Sequence, residues 1–372
     1  MRRDSEGPII KAETAQETLT FESAATELIA KGEELMQENS VKENRKYHTI
    51  EHPHTLERRA EEIAEIFGLL EREKTTVKIA ISWHDTTINV TPANPEDITA
   101  TITRHRGARE GDDPAGAQGN EAVCARETER EMRRMNERAG YPVFSEEEIE
   151  TATFMVEATY PGVKFGAPFK EYPYYTNIVE QNPGIHAVIE ELEQGGINKG
   201  LLFFQPHLEK PLEEGKKIPA EAFVMVLDDL GGAGLAAPEE FAMEGDKEFQ
   251  ELFVNISKPK NLKRLSEGDD ERDETDRQKA AGAMIGWLKS QTGFVAWQML
   301  RIEKIIILLR QNGQIDTAQE ERLHAVFKRF IPNIYATLER ARDTERNYNV
   351  LKEDAGSKAA FGYLARAMHY EL

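Results

Sequence analysis

Cysteine and long hydrophobic runs are both scarce in this sequence. One cysteine, Cys124, stands among 372 residues, so no internal disulfide can form, as is usual in reducing compartments. The apolar run at residues 305–309 has charged flanks and falls far short of a membrane-spanning helix. The polar residues 1–6 are not followed by the apolar region of a signal peptide. These absences argue against a secreted or membrane-embedded protein and predict a cytoplasmic one.

Positive charge is the second scarcity. The chain has 47 Lys and Arg against 67 Asp and Glu, which gives a formal net charge of −20. Such a surface repels nucleic-acid polymers and anionic membranes, whereas a small phosphate-bearing molecule can bind where metal ions or a basic pocket supply positive charge. The 39% hydrophobic and 31% charged residues are typical of a globular protein. We therefore expect a small phosphoester as partner, no nucleic-acid polymer and no membrane, and we leave a homo-oligomer open.

Strand signals are scarce as well, and helical periodicity dominates. Residues such as Phe21, Ala24 and Leu28 recur at helical spacing, and residues 75–88 are apolar on most sides, as expected for a central helix. The sequence therefore predicts an all-α fold. The predicted organisation is a polar N-terminal arm at residues 1–20, a helical domain at residues 21–262, a charged connector at residues 263–279, and C-terminal helices at residues 280–372 that pack on the same domain.

Two stretches depart from this periodicity. Residues 107–119 hold four glycines among charged residues, which predicts a loop or a mobile lid. Residues 160–220 contain several Pro, Gly and Tyr residues. They predict an irregular surface excursion, with a cover over a pocket as the alternative.

A His-Asp pair, His84 and Asp85, closes the apolar run at residues 77–82. Both side chains are costly to bury unless they are paired, so their position implies partners. Imidazoles and carboxylates are ligands of divalent ions such as Mn, Fe, Zn, Ni, Co and Mg. His52, upstream, and Asp229, downstream, are the further ligands that we expect around one or two such ions, with Asp85 able to bridge two.

Asp229 is expected at the C-terminal end of a helix over residues 222–230, because the glycine-rich residues 231–234 would stop the helix there. A carboxylate at the negative end of a helix dipole is unfavourable, and this mismatch favours a cation nearby. His48 lies four positions before His52, so both side chains can point to one place on a helical turn. His48 is then the candidate general acid.

In chain order, Tyr47-His48-x3-His52, His84-Asp85 and Asp229-Leu230 resemble the H…HD…D signature of the HD superfamily of metal-dependent phosphohydrolases. Residues 120–123 also look like the family's Asn-Glu helix start, and residues 155–159 look like the helix before its last ligand. The resemblance covers residues 44–235 and implies an HD-domain-like helical bundle. It implies a hydrolase that cleaves a small phosphate ester, such as a nucleotide, by a metal-activated water. The implied metal ligands are His52, His84, Asp85 and Asp229, and the implied catalytic residues are His48 and Asp85.

A narrower resemblance is to the catalytic domains of cyclic-nucleotide phosphodiesterases, whose base-clamping segment reads Gln-x-Gly-Phe. Here Gln291-Thr-Gly-Phe294 implies that Gln291 hydrogen-bonds a purine edge while Phe294 stacks on the ring. Ordinary core packing in an amphipathic helix is the alternative for these two residues. At two family positions the chain differs, since Thr49 replaces an Asn and Ile88 replaces a His. A cyclic-nucleotide phosphodiesterase and a metal- or nucleotide-binding sensor without turnover therefore stay open beside a general phosphohydrolase.

Overall fold

A computed structural model describes residues 19–104, 119–160, 162–165, 176, 179–180, 182–194, 201–204 and 206–371. Over these residues the fold is all-α, which confirms the fold class that the periodicity predicts. The predicted polar arm, apart from Leu19 and Thr20, and most of the glycine-rich segment at residues 107–119 lie outside the described residues. None of the described helices is long and apolar enough to cross a membrane.

Helices make up most of the described chain, and two short antiparallel ladders accompany them. The helices are α1 (Phe21–Glu43), α2 (Glu51–Phe67), α3 (Glu71–Trp83), α4 (Asn120–Ala139), α5 (Glu146–Ala158), α6 (Pro183–Gln194), α7 (Pro206–Glu213), α8 (Ala220–Leu235), α9 (Pro238–Leu252), α10 (Val254–Ser257), α11 (Pro259–Glu267), α12 (Glu271–Gln311), α13 (Thr317–Val326) and α14 (Phe330–Ala367). The ladders pair β1 (Val90–Thr91) with β2 (Thr103–Arg104), and β3 (Gly162–Phe165) with β4 (Leu201–Phe204). The stretch predicted to be irregular, residues 160–220, thus contains β3, α6, β4 and α7.

Helix α3 lies at the centre of the fold, in contact with α1, α2, α4, α5 and α8. Residues 79–83 are all buried. Close packing against α1 requires Gly32, because a Cβ atom there would lie 2.6 Å from the Ser82 carbonyl oxygen. Trp83 donates its indole N–H to the Leu28 carbonyl oxygen over 3.0 Å, which satisfies its polar atom inside the core. The C-terminal end of α3, which His84 and Asp85 follow, is therefore firmly placed.

The prediction that glycines stop the helix after Asp229 is wrong. Helix α8 continues past Asp229 through all four residues 231–234, so the carboxylate does not lie at the negative end of a dipole. Packing explains two of the glycines. A Cβ atom at Gly231 would lie 2.4 Å from the Phe327 ring, and one at Gly234 would lie 2.6 Å from the Phe330 ring. Tertiary packing therefore overrides the low helix propensity of glycine here.

Replacing Gly234 with alanine should lower the free energy of unfolding by about 1–3 kcal/mol, since the added methyl group overpacks the contact with the Phe330 ring. Gly282, on α12, is the matched control because a Cβ atom there meets nothing within 4 Å. Gly282→Ala should raise stability by up to about 1 kcal/mol through helix propensity alone. Denaturant unfolding measures both changes, and equal stabilisation by both substitutions would show that the ring contact is not tight.

The predicted charged connector at residues 263–279 is largely helical. Helix α11 ends at residue 267 and α12 begins at residue 271. The charges of this stretch pair with one another, since Arg264 donates to Asp273 over 2.8 Å and to Asp276 over 2.7 Å. Arg277 is 1% exposed and donates to two backbone carbonyl oxygens of the same junction. The high charge thus belongs to an internally paired helix junction.

Helix α12 contributes to two hydrophobic cores. Its residues 295–309 belong to a hydrophobic core with α1–α5 and α8, whereas its residues 280–288 belong to a second core with α11 and α14. Helix α14 enters that second core on both sides of its break at Gly356, where φ is 86°, with Ala341 and Tyr348 before the break and residues 360–365 after it. In the described chain three helices, α9, α12 and α14, contribute residues to both cores.

Candidate metal centre

The side chains singled out for metal binding and catalysis come from three helices that pack against one another. His48 lies in the turn before α2 and His52 lies in the first turn of α2. His84 caps the C-terminal end of α3 with Asp85 directly after it, and Asp229 lies on α8. Because α2, α3 and α8 contact each other, all five side chains line the same cavity.

Three of these residues form a tight cluster. The Nε2 atoms of His52 and His84 are 3.3 Å apart. Asp85 Oδ2 lies 3.0 Å from His84 Nε2 and 3.7 Å from His52 Nε2. One ligand atom from each residue lies within 4.8 Å of the other two, close enough for the group to hold a metal ion. Asp229 lies beside this group, with Oδ1 3.9 Å from His52 Nε2.

The hydrogen bonds and charges around the cluster set the state of each ligand. His84 Nδ1–H donates to the Ile81 carbonyl oxygen over 2.7 Å, which directs Nε2 toward the cluster. Burial alone lowers the pKa of the His84 imidazole, but Asp85 and Asp229 raise it to about 9. Burial and the neighbouring His84 hold the pKa of His52 well below its usual range, so His52 is neutral. Burial raises the pKa of the Asp85 carboxyl, but the three histidines hold it well below its usual range.

These states suit a cation. A neutral imidazole and an ionised carboxylate are the forms that bind metal. Because the pKa of His84 is raised to about 9, that imidazole would have to give up a proton to bind a cation. The cluster therefore offers two nitrogen ligands and one oxygen ligand, with a second carboxylate, Asp229, alongside.

His48 lies next to the cluster, and Glu251 binds the side of its ring that faces away from the cluster. No motif in the sequence indicates this role of Glu251. His48 Nδ1–H donates to Glu251 Oε1 over 2.7 Å, while His48 Nε2 lies 3.6 Å from Asp85 Oδ2. The other oxygen of Glu251 accepts hydrogen bonds from the backbone N–H groups of residues 46–48. The imidazole therefore has one orientation, with Nε2 toward the cluster of His52, His84 and Asp85.

Arg104 completes the surroundings of Glu251. Its guanidinium donates to Glu251 Oε1 over 3.0 Å, and both side chains are buried. Burial raises the pKa of the Glu251 carboxyl, but His48, Arg104 and the backbone N–H of His48 hold it well below its usual range. Glu251 is thus a buried carboxylate that both orients His48 and faces it with a negative charge.

The cluster opens into a cavity of about 610 Å³, and one face of α12 lines the same cavity. Gln291 and Phe294 both lie on that face, so the two residues of the Gln-x-Gly-Phe segment line the cavity together with His52, His84 and Asp85. Gly245 of α9 makes room for the Gln291 side chain, because a Cβ atom there would lie 3.1 Å from Gln291 Oε1. Ile88 also lines the cavity.

Charged side chains around the cavity are mainly acidic. The lining carboxylates are Asp85, Glu121, Asp229, Glu244 and Glu248, and the lining arginines are Arg59, Arg104 and Arg301. Among the described lining residues, five carboxylates outnumber the three arginines together with His84, whose pKa is raised to about 9, so this part of the lining is net negative. Such a cavity repels a phosphate group unless cations bind in it.

Of the described residues, His52, His84 and Asp85 form a group able to hold an ion, and it lies where the sequence pattern predicts. Its neighbours His48, Asp229, Gln291 and Phe294 share the cavity with it. Comparisons of the chain with protein-family models, with curated proteins and with solved structures gave no match.

Proposed function

We propose that this protein is a metal-dependent phosphohydrolase of the HD type that cleaves a small phosphate ester, in particular a nucleotide. The observation that carries the proposal is that His52, His84 and Asp85 place ligand atoms within 4.8 Å of one another. Beside them lies His48, which the buried Glu251 carboxylate orients. The chain order of these residues, and of Asp229 after them, is the order of the HD signature. The helical architecture around them is compatible with an HD-domain-like bundle.

The residues present fit divalent metal ions. Two imidazole nitrogens with one or two carboxylates suit Mn, Fe, Co, Ni or Zn, and the carboxylate-rich lining suits a second ion such as Mg, with Asp85 shared between the two. The net negative lining is the charge that one or two divalent cations would balance. When bound, such an ion polarises the phosphoryl group and lowers the pKa of a water molecule.

His48 is the residue that we assign to proton transfer. Its Nε2 atom faces the cluster, and Glu251 holds the opposite side of the ring through Nδ1–H. The Glu251 carboxylate places a negative charge against the Nδ1 side of the ring, 2.7 Å away. His48 can therefore hold a proton at Nε2 and donate it to the oxygen of the leaving group as that oxygen develops negative charge.

The size and lining of the cavity indicate a substrate larger than a phosphate group. A volume of about 610 Å³ lies within the range of pockets that hold whole small molecules. Aromatic side chains, Phe241, Phe294 and Trp297, line it together with the amide of Gln291. A flat ring with polar edges, linked to a phosphate at the metal ligands, matches this combination. A nucleotide has that chemistry.

A cyclic-nucleotide phosphodiesterase is the second candidate, and the presence of Gln291 and Phe294 in this cavity favours it. Phe294→Ala distinguishes the two functions. If Phe294 stacks on a base, its loss should raise the KM for a cyclic nucleotide about 5- to 100-fold, because stacking on an aromatic side chain is worth about 1–3 kcal/mol. Hydrolysis of bis(4-nitrophenyl) phosphate, which has no base, should change little.

Phe67→Ala is the control for that substitution, because Phe67 stacks on Phe223 in the core and does not line the cavity. Steady-state kinetics on both substrates measure the effects. An unchanged KM for cyclic nucleotides in Phe294→Ala would exclude the base clamp and leave the general phosphohydrolase.

The test of the proposed function is the metal content of the purified protein, determined by mass spectrometry for the wild type and for His84→Ala. We expect about one or two transition-metal ions per chain, lost in the variant. Nucleotides and other small phosphoesters are then screened for hydrolysis with the metal found. Bound metal with nucleotides that stabilise the protein but are not consumed would indicate a sensor. The absence of metal, with no thermal stabilisation by Mn, Fe, Zn, Ni or Mg, would exclude the metal centre.

A further inference from the structure

The turn at residues 85–87, called here the Asp85 turn, is held by side chains from outside the cavity. The carbonyl oxygen of Asp85 accepts a hydrogen bond from Arg45 Nη1 over 3.2 Å. The next carbonyl oxygen, that of Thr86, accepts one from Asn39 Nδ2 over 2.7 Å. Asn39 lies on α1 and Arg45 lies just after its end. The segment that ends α1 thus fixes two successive peptide groups of the turn.

The third residue of the Asp85 turn is fixed from α4. The backbone N–H of Thr87 donates to Cys124 Sγ over 3.4 Å. Cys124 is fully buried, and this burial raises the pKa of its thiol to about 12, so the sulfur stays a neutral, weak acceptor. Each residue of the turn therefore has one backbone polar group bound by a side chain from a different part of the chain.

Arg45 is itself rigidly placed. Glu43 Oε2 accepts hydrogen bonds from Arg45 Nε over 2.9 Å and from Nη2 over 2.7 Å. The Arg45 backbone N–H donates to the Ser40 carbonyl oxygen over 2.9 Å. Arg45 is 7% exposed, so water screens these contacts little. The guanidinium has one defined orientation, with Nη1 directed at the Asp85 carbonyl oxygen.

None of these three side chains, Arg45, Asn39 or Cys124, lines the cavity that contains the metal ligands. They can therefore reach an ion or a substrate only through the Asp85 turn. The Asp85 carboxylate, in contrast, lies 3.0–3.7 Å from the Nε2 atoms of three histidines. Its position in that cluster depends on the backbone that the three side chains hold.

We propose that Arg45 is a positioning residue of the metal centre, assisted by Asn39. By fixing the carbonyl groups of the Asp85 turn, it keeps the Asp85 carboxylate among the histidines whether or not an ion is bound. Because the Asp85 carboxylate is already held in place, binding of the ion costs little conformational entropy, and the affinity for the ion is higher. This inference rests on the proposed function in one respect, which is that the cluster binds a metal. It goes beyond that function because neither residue belongs to the ligand set or to the substrate cavity.

The experiment compares Mn²⁺ binding to the full-length wild type, Arg45→Met, Arg45→Lys and Asn39→Ala, followed by the loss of the free-ion electron paramagnetic resonance signal. Groups that orient metal ligands typically contribute about 10- to 100-fold to metal affinity, so we expect a loss of that size in Arg45→Met. We expect a smaller loss in Asn39→Ala. Arg45→Lys should recover part of the affinity, because an ammonium group can still donate to the Asp85 carbonyl oxygen.

Arg277→Met is the matched control, since Arg277 is also buried (1% exposed, against 7% for Arg45) and donates to backbone carbonyl oxygens, but it does not line the cavity. Thermal denaturation of both methionine variants should show a similar loss of stability, whereas Mn²⁺ affinity should fall only in Arg45→Met. Equal Mn²⁺ affinity in the wild type and in Arg45→Met would overturn the positioning role and leave the proposed function intact. A wild-type protein that binds neither Mn²⁺ nor Zn²⁺ would overturn the metal centre itself.

Discussion

Asp85→Ala should abolish metal binding and lower phosphoester turnover by at least about 10³-fold. The Asp85 carboxylate lies within 3.7 Å of the Nε2 atoms of His48, His52 and His84. Its removal takes the carboxylate ligand out of the cluster. A bound divalent ion typically contributes several kcal/mol to stabilisation of the transition state, and each 1.36 kcal/mol corresponds to about tenfold in rate. Metal content and initial rates on a nucleotide substrate measure the two effects together.

Asp97→Ala is the control for Asp85→Ala. Asp97 is an exposed aspartate whose carboxylate accepts hydrogen bonds from Thr99 and does not line the cavity. We expect it to keep both metal and activity. Full activity of the Asp85→Ala protein would exclude the assignment of this cluster as the active site.

Glu251→Gln should lower kcat by about 10²- to 10⁴-fold, the usual contribution of a general acid, while the metal content stays at the wild-type level. The amide oxygen can still accept from the backbone N–H groups of residues 46–48, so the local fold should persist. The amide nitrogen, however, would donate to His48 Nδ1 where the carboxylate now accepts. His48 would then lose the carboxylate acceptor that fixes Nδ1–H, and with it the orientation in which Nε2 faces the cluster.

Glu239→Gln serves as the matched substitution, because Glu239 lies exposed in the first turn of the same helix, α9. The decisive readout is the combination of rate and metal content. A Glu251→Gln protein with wild-type kcat would show that His48 does not transfer the proton. A substrate with a better leaving group, such as a 4-nitrophenyl ester, should lose less rate in Glu251→Gln, since that leaving group needs less help from an acid.

The parts of the site that the sequence predicts are those with a local signal. His84 and Asp85 follow a visibly buried helix, and His48 and His52 share one turn at a spacing of four. Glu251 has no such signal, because it is one of several acidic residues along an amphipathic helix far from His48 in the chain. Its role comes from the packing of α9 against the turn before α2, which only the three-dimensional structure shows.

In two places a tertiary contact reverses a local preference. The glycines after Asp229 favour a helix end, yet the Phe327 and Phe330 rings fill the space that their missing side chains leave. The charges at residues 263–279 favour a hydrated linker. In the structure, however, Arg264 pairs with Asp273 and Asp276, and Arg277 donates to a backbone carbonyl oxygen. Composition reports which groups are present, but it does not report which of them neutralise each other.

Helix α12 runs for about 60 Å through both hydrophobic cores. Between the segments that build those cores lie Gln291 and Phe294, at the cavity. Unfolding of either core would disrupt α12 and therefore remove side chains that pack in the other core. We therefore expect the molecule to unfold cooperatively in a single transition. A molecule bound in the cavity would contact the middle of α12. By mass action it would therefore raise the free energy of unfolding of both cores together.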